Sequence, residues 1–222
     1  MHEAPLLVQW VYYQFGGGPL LRPTWIVGYA LALAAIVLAF TRLRWSGRFI
    51  SAFLASTWLF TGTLYTLLPF TGSVWSVVLS TAFLTEGILL LVFGVFRDKV
   101  GFAIRLNVKS FLAGLAVITS LVIFPLLASE PGNTFWSRHV MIHAHLLVPL
   151  LTAGFFAWSR RSIPWYLVLL PLLWLVFSVV AAVEDIVVCF ARAGWYIGPP
   201  ALLGIVCVAF AALRRRNNGP PA

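Results

Sequence analysis

The chain has 222 residues, 61% of them hydrophobic and only 9% charged, with a mean hydropathy of +0.97 and a formal net charge of +9. A soluble domain carries roughly 25% charged residues, so this composition argues against a water-solvated surface and predicts a chain facing lipid over most of its area. The basic excess does not imply nucleic acid, because Lys and Arg fall in short loops between apolar runs, where they act as topology signals.

Residues 5–15 are aromatic-rich but too short to span a bilayer. Trp10, Tyr12 and Tyr13 suit the headgroup layer, so the expectation is an interfacial helix ended by Gly16-Gly17-Gly18. The first Lys or Arg is Arg22, so no basic n-region precedes an apolar core and no cleavable signal peptide is expected.

Seven apolar runs follow, at 24–41, 49–68, 74–96, 108–127, 136–158, 164–185 and 196–213. Each is close to the roughly 20 residues a tilted helix needs to cross about 30 Å. The predicted fold is therefore all-α: a polytopic seven-helix membrane bundle over 24–213. The interfacial segment 1–23 precedes it and a basic tail, 214–222, follows. Short connections predict antiparallel neighbours.

Of the 15 Lys and Arg residues, 12 fall on one side. They occupy 42–48, 97–107, 159–163 and the tail from Arg214, with Lys109 just inside the fourth run. Only Arg22, Arg138 and Arg192 fall on the other side. The positive-inside rule then predicts an outer N-terminus and a cytoplasmic C-terminus. The expected partners are the lipid bilayer itself and anionic lipid headgroups at the cytoplasmic arginines. No nucleic acid partner is expected.

Most other ionisable groups fall on the predicted outer half. His139, His143 and His145 open the fifth run, and Glu184 and Asp185 close the sixth. His139 and His143, four apart, share a helix face, a common half-site for a divalent metal such as zinc. Glu184 is the nearest candidate third ligand by depth. His145 lies about 200° round the helix from His143, so one ion cannot take all three. The plainer reading is that these histidines sit at the water interface and bind loops or headgroups. Haem fits poorly, because two axial histidines normally come from separate helices.

Glu86 alone sits deep, midway along the third run. An ionisable group there costs a few kcal/mol on insertion scales and is a functional candidate by default. The competing reading is a carboxylic acid hydrogen-bonded to Thr61, Thr63, Tyr65 or Thr119. Glu86, His145, Glu184 and Asp185 are thus the candidate substrate or proton site, and His139, His143 and Glu184 the candidate metal ligands. Walker loops, GxSxG elbows, CxxC and HExxH motifs are all absent.

RLRWSGR (Arg42 to Arg48), Trp58 and Tyr65 of the second run, LLLVFGVFRDKVGF (Leu89 to Phe102) and PWYLVLLPLLW (Pro164 to Trp174) carry a resemblance. Through them the chain resembles an uncharacterised family of bacterial integral-membrane proteins, classed as a domain of unknown function. The resemblance implies a multi-pass protein of the bacterial cytoplasmic membrane and no particular chemistry. It departs at Tyr65-Thr66, where the family pattern is Tyr-His, and in the histidine-rich fifth run.

Three functions fit. The leading one is handling of a small solute, ion or proton through an outward-facing polar cavity, without catalysis. The alternatives are a metal-dependent intramembrane hydrolase built on His139, His143 and a carboxylate, and a structural or accessory membrane subunit.

Overall fold

A computed structural model describes residues 21–41, 43–67, 74–105, 107–123, 144–188 and 192–217. The helix expected over 5–15, the 128–135 loop, His139 and His143 lie outside the described residues. Within them the chain is all-helical: α1 (Leu21–Thr41), α2 (Ser46–Leu67), α3 (Val74–Leu89), α4 (Val108–Ile118), α5 (Ala144–Ala157), α6 (Trp165–Val188) and α7 (Arg192–Asn217). The helical path of α3 continues as a π-helix over Leu90–Phe96, and that of α4 over Thr119–Ile123. Among the described residues there is no strand, only one isolated bridge between Phe102 and Ser159.

Helix α5 lies at the centre. Every described residue from Leu146 to Phe156 is buried, so it has no outward face, the mark of a helix enclosed by others. Around it, side-chain contacts and close glycine approaches set its neighbours. Trp58 and Phe53 of α2 reach Thr152 and Phe155 of α5. Leu175 of α6 and Leu150 of α5 both close on Gly204 of α7, where an added Cβ would lie 2.7 Å from Leu175 Cδ2. Gly154 lets α5 approach α4 closely, since a Cβ there would meet Val117 Cγ2 at 2.8 Å and the Ala113 carbonyl at 3.0 Å. An added Cβ at Gly114 of α4 would meet only Trp158, at ordinary distance.

The outer helices bury small residues and expose large ones. Helix α1 turns Ala32, Ala35 and Ala39 inward and leaves Ile26, Leu33 and Phe40 exposed. Helix α4 buries Ala113 and Ala116 while Phe111 is 72% exposed. Among the described residues, two helices are long and apolar enough to cross a membrane, Val77–Phe96 and Trp165–Val183. Shorter apolar helices are Ile26–Thr41, Val108–Ile123, Leu146–Ala157 and Ile197–Leu213.

One end of the molecule gathers three of the four basic segments. The α3–α4 connection threads across it and is buried at Val100, Phe102 and Ala103. Its backbone is tied on both sides: Ile104 N–H donates to Ala39 O at 3.2 Å, Ala103 N–H to Trp158 O at 2.8 Å, and Arg160 N–H to Gly101 O at 2.7 Å. The first turn of α2 closes on it at Gly47, where a Cβ would stand 2.6 Å from the Val100 carbonyl. Asp98, at φ 46, makes the left-handed turn out of the π-helix, a region Asp tolerates better than most residues. Asn107 then caps α4, its side-chain oxygen accepting from Ser110 N–H at 2.9 Å. Lys109 lies over the Phe210 ring, which brings the C-terminal part of α7 to the same end.

Candidate functional site

Glu86 lies in the last turn of α3, three residues after Phe83 and four before Leu90. All three side chains are fully buried, as residues sharing one helix face should be. Phe83 fixes what that face meets. Its ring lies between Trp58 of α2 at 4.7 Å and Trp174 of α6 at 5.4 Å. The stack is locked in register by the Trp58 indole N–H, which donates to Thr152 Oγ1 at 2.8 Å. Thr152 in turn donates to Val148 O at 2.8 Å, so its hydroxyl is used as both acceptor and donor. Glu86 thus enters the bundle one turn along α3 from an aromatic column that crosses it.

Around Glu86 the helices are held close. Gly87 packs on Leu59, with a Cβ 2.6 Å from Leu59 Cγ, and Gly62 packs on Leu84. Ser80 Oγ donates to Gly62 O at 2.9 Å, a polar tie between α3 and α2. Both Glu86 oxygens nevertheless have no hydrogen-bond partner among the described residues. Of the partners expected from sequence, Thr61 and Thr119 are buried but do not bond the carboxyl, and Thr63 turns back to Leu59 O. The side chain of Tyr65 lies outside the described residues. Ser51 Oγ is also buried without a partner, close against Gly94 in the π-helix. Such orphaned groups are rare and each asks for an explanation, a ligand or proton being one.

The other sequence candidates are placed only by backbone. His145 is on α5, and Glu184 and Asp185 are in the last turns of α6; their side chains lie outside the described residues. From the α5–α6 turn, Glu184 is roughly one to two helical turns farther along than His145. Among the described residues no three His, Cys, Asp or Glu side chains group as metal ligands.

A second polar feature was not anticipated. At the basic end a cavity of about 800 Å³ is lined by Arg97, Lys99, Arg161, Ser162, Trp165 and Tyr166, among others. It joins residues some 65 apart in sequence, which no local pattern reveals.

The architecture and the site together define an all-helical protein with a central buried carboxyl and a basic cavity at one end. The chain belongs to a family of unknown function (DUF6064), whose model matches residues 21–197. No curated protein and no solved structure matches the chain.

Proposed function

We propose that this chain is a seven-span bundle of the bacterial cytoplasmic membrane, N-terminus out and C-terminus in. Its Glu86 carboxyl takes up and releases a proton or small cation that arrives through an outward-facing polar cavity. The observation that carries this reading is the wholly buried Glu86 carboxyl with neither oxygen partnered among the described residues. Leaving one buried polar group unsatisfied costs about 1–3 kcal/mol. A purely structural role gives no return for that cost, whereas a site that must exchange its proton or cation needs an unoccupied acceptor.

The membrane part rests on surface chemistry. Monomeric soluble proteins rarely expose contiguous apolar patches larger than a few hundred Å². Here Ile26, Leu33 and Phe40 of α1, Val77 and Ile88 of α3, Phe111 of α4, and Leu173 and Val180 of α6 all face outward. Small residues at the helix contacts, with large apolar residues outside, are the arrangement expected where lipid is the solvent. Prolines within α5, α6 and α7 are compatible with that setting. The bacterial membrane assignment follows the resemblance, and the orientation follows the basic end.

The test is ion movement in proteoliposomes. Purified protein reconstituted with an internal pH dye should pass protons or a monovalent cation under an imposed gradient. Glu86→Gln, shown to be folded by circular dichroism and gel filtration, should not. Equal flux by wild type and Glu86→Gln would refute the role of Glu86.

A further inference from the structure

We infer that the cavity at the basic end is a binding site for a phosphate-bearing anion, held by Arg97, Lys99 and Arg161. The inference is independent of Glu86, which lies within α3 and is not part of the cavity lining.

Three cations line this cavity and one acid, Asp98, accompanies them. Two of the cations are held rather than free. The Arg97 guanidinium stands 5.1 Å from the Phe93 centroid and the Lys99 ammonium 5.5 Å from the same ring. Exposed side chains of like charge would ordinarily spread apart; here one aromatic ring keeps both near the cavity. Phe93 is itself fixed across the helix gap by Tyr166, at 4.6 Å between centroids.

Arg161 is anchored differently. Its guanidinium donates to the Asp98 carbonyl and stands 4.0 Å from Asp98 Oδ2. Ser159 Oγ donates to Arg161 O at 2.7 Å, which pins the backbone beneath it. Asp98 offsets one of the three positive charges, so the cavity keeps a positive excess. Asp98, in its left-handed turn, thereby holds Arg161 over the α3–α4 connection, where the Arg161 side chain also lies against Gly101.

The floor adds to this field. Helix α6 starts at Trp165, and Pro164, Trp165 and Tyr166 line the cavity, so the positive dipole end of the helix lies there. Pro164 leads into it and the Ser162 side chain stands nearby. Guanidinium and ammonium groups lining one cavity beside a helix start suit a tetrahedral oxyanion better than a carboxylate, because phosphate offers several acceptor oxygens at once. The size, about 800 Å³, admits a headgroup phosphate with its glycerol as readily as a small phosphate. The stretches Leu89 to Phe102 and Pro164 to Trp174, which carry the family resemblance, meet at this cavity.

Full-length protein, purified in detergent and stripped of lipid, would be titrated with phosphatidylglycerol, phosphatidylcholine and inorganic phosphate. Native mass spectrometry would count bound molecules and tryptophan fluorescence would follow occupancy. Phosphatidylglycerol should bind at one molecule per chain with preference over phosphatidylcholine. Each of Arg97→Gln, Lys99→Gln and Arg161→Gln should weaken it about fivefold, and the triple variant on the order of a hundredfold. Competition by inorganic phosphate would identify a soluble phosphate as the natural occupant, and its failure to compete a lipid headgroup; either supports the site. A control set with equal charge loss outside the cavity, Arg44→Gln, Arg48→Gln and Arg105→Gln, should change little. Equal weakening by the control set, equal binding of the two lipids, or unchanged binding by a folded triple variant would overturn the inference. None of these outcomes depends on ion flux, so failure here leaves the Glu86 reading standing, and the reverse also holds.

Discussion

Replacing Glu86 with Met should make the protein more stable and abolish its function. Met has similar length and an adaptable shape, so a volume-conserving swap at a packed site costs less than about 1.5 kcal/mol. Against that, the substitution removes two buried oxygens that have no partner among the described residues. Each unsatisfied group is worth roughly 1–3 kcal/mol, though the two oxygens of one carboxyl are not independent. The net expectation is stabilisation by about 1–3 kcal/mol, a rise in unfolding midpoint on the order of 5 °C for a chain of this size. Glu86→Gln keeps two polar atoms in the same place and should stay near wild type. Glu86→Lys adds a strongly hydrated cation and should insert or fold poorly. The assay is thermal unfolding of the three variants in one detergent, read by intrinsic fluorescence. A midpoint for Glu86→Met clearly below wild type would mean that the carboxyl is satisfied in the folded protein, and the functional reading built on its isolation would fall. Stability gained where activity is lost is the usual sign of a group retained for function.

Gly47→Ala should destabilise by about 1–3 kcal/mol, because the new Cβ meets a backbone carbonyl that cannot rotate away. Gly28→Ala, with nothing within 4 Å of the new atom, should instead stabilise α1 by roughly 0.5–1 kcal/mol; a common effect of the two on unfolding midpoint would contradict the packing described. Trp58→Phe should cost about 2–3 kcal/mol through the lost indole hydrogen bond and the smaller ring. In a double-mutant cycle with Thr152→Val, the pair should couple by about 1 kcal/mol, and strict additivity would argue against the bond. For orientation, a reporter active only outside the cytoplasmic membrane should be silent when fused after Arg216 and active when fused in the 128–135 loop. The opposite pattern would reverse the proposed topology.

The all-helical class was legible in the sequence, because long apolar runs between short basic turns leave little room for any other regular structure. That Glu86 sits deep was legible too, from a lone acid midway along an apolar run; that it shares a buried face with Phe83 and Leu90 came from the fold. The sequence also marked 42–48, 97–107 and 159–163 as one group by charge, and in the fold these segments hydrogen-bond and pack together. It did not show which helix stands at the centre. Helix α5 is no more apolar than its neighbours, and apolarity on every face reads alike for an enclosed helix and one facing lipid. Nor did it show that Glu86 lacks a partner among the described residues, because Thr61 and Thr119 are equally plausible by depth and only the fold shows that neither bonds the carboxyl. The Trp58–Phe83–Trp174 column and the basic cavity belong wholly to the tertiary structure. Each joins residues dozens of positions apart, and which of them meet depends on how closely the helices approach, set by single glycines such as Gly62, Gly87 and Gly154, and by the hydrogen bonds of the buried α3–α4 connection.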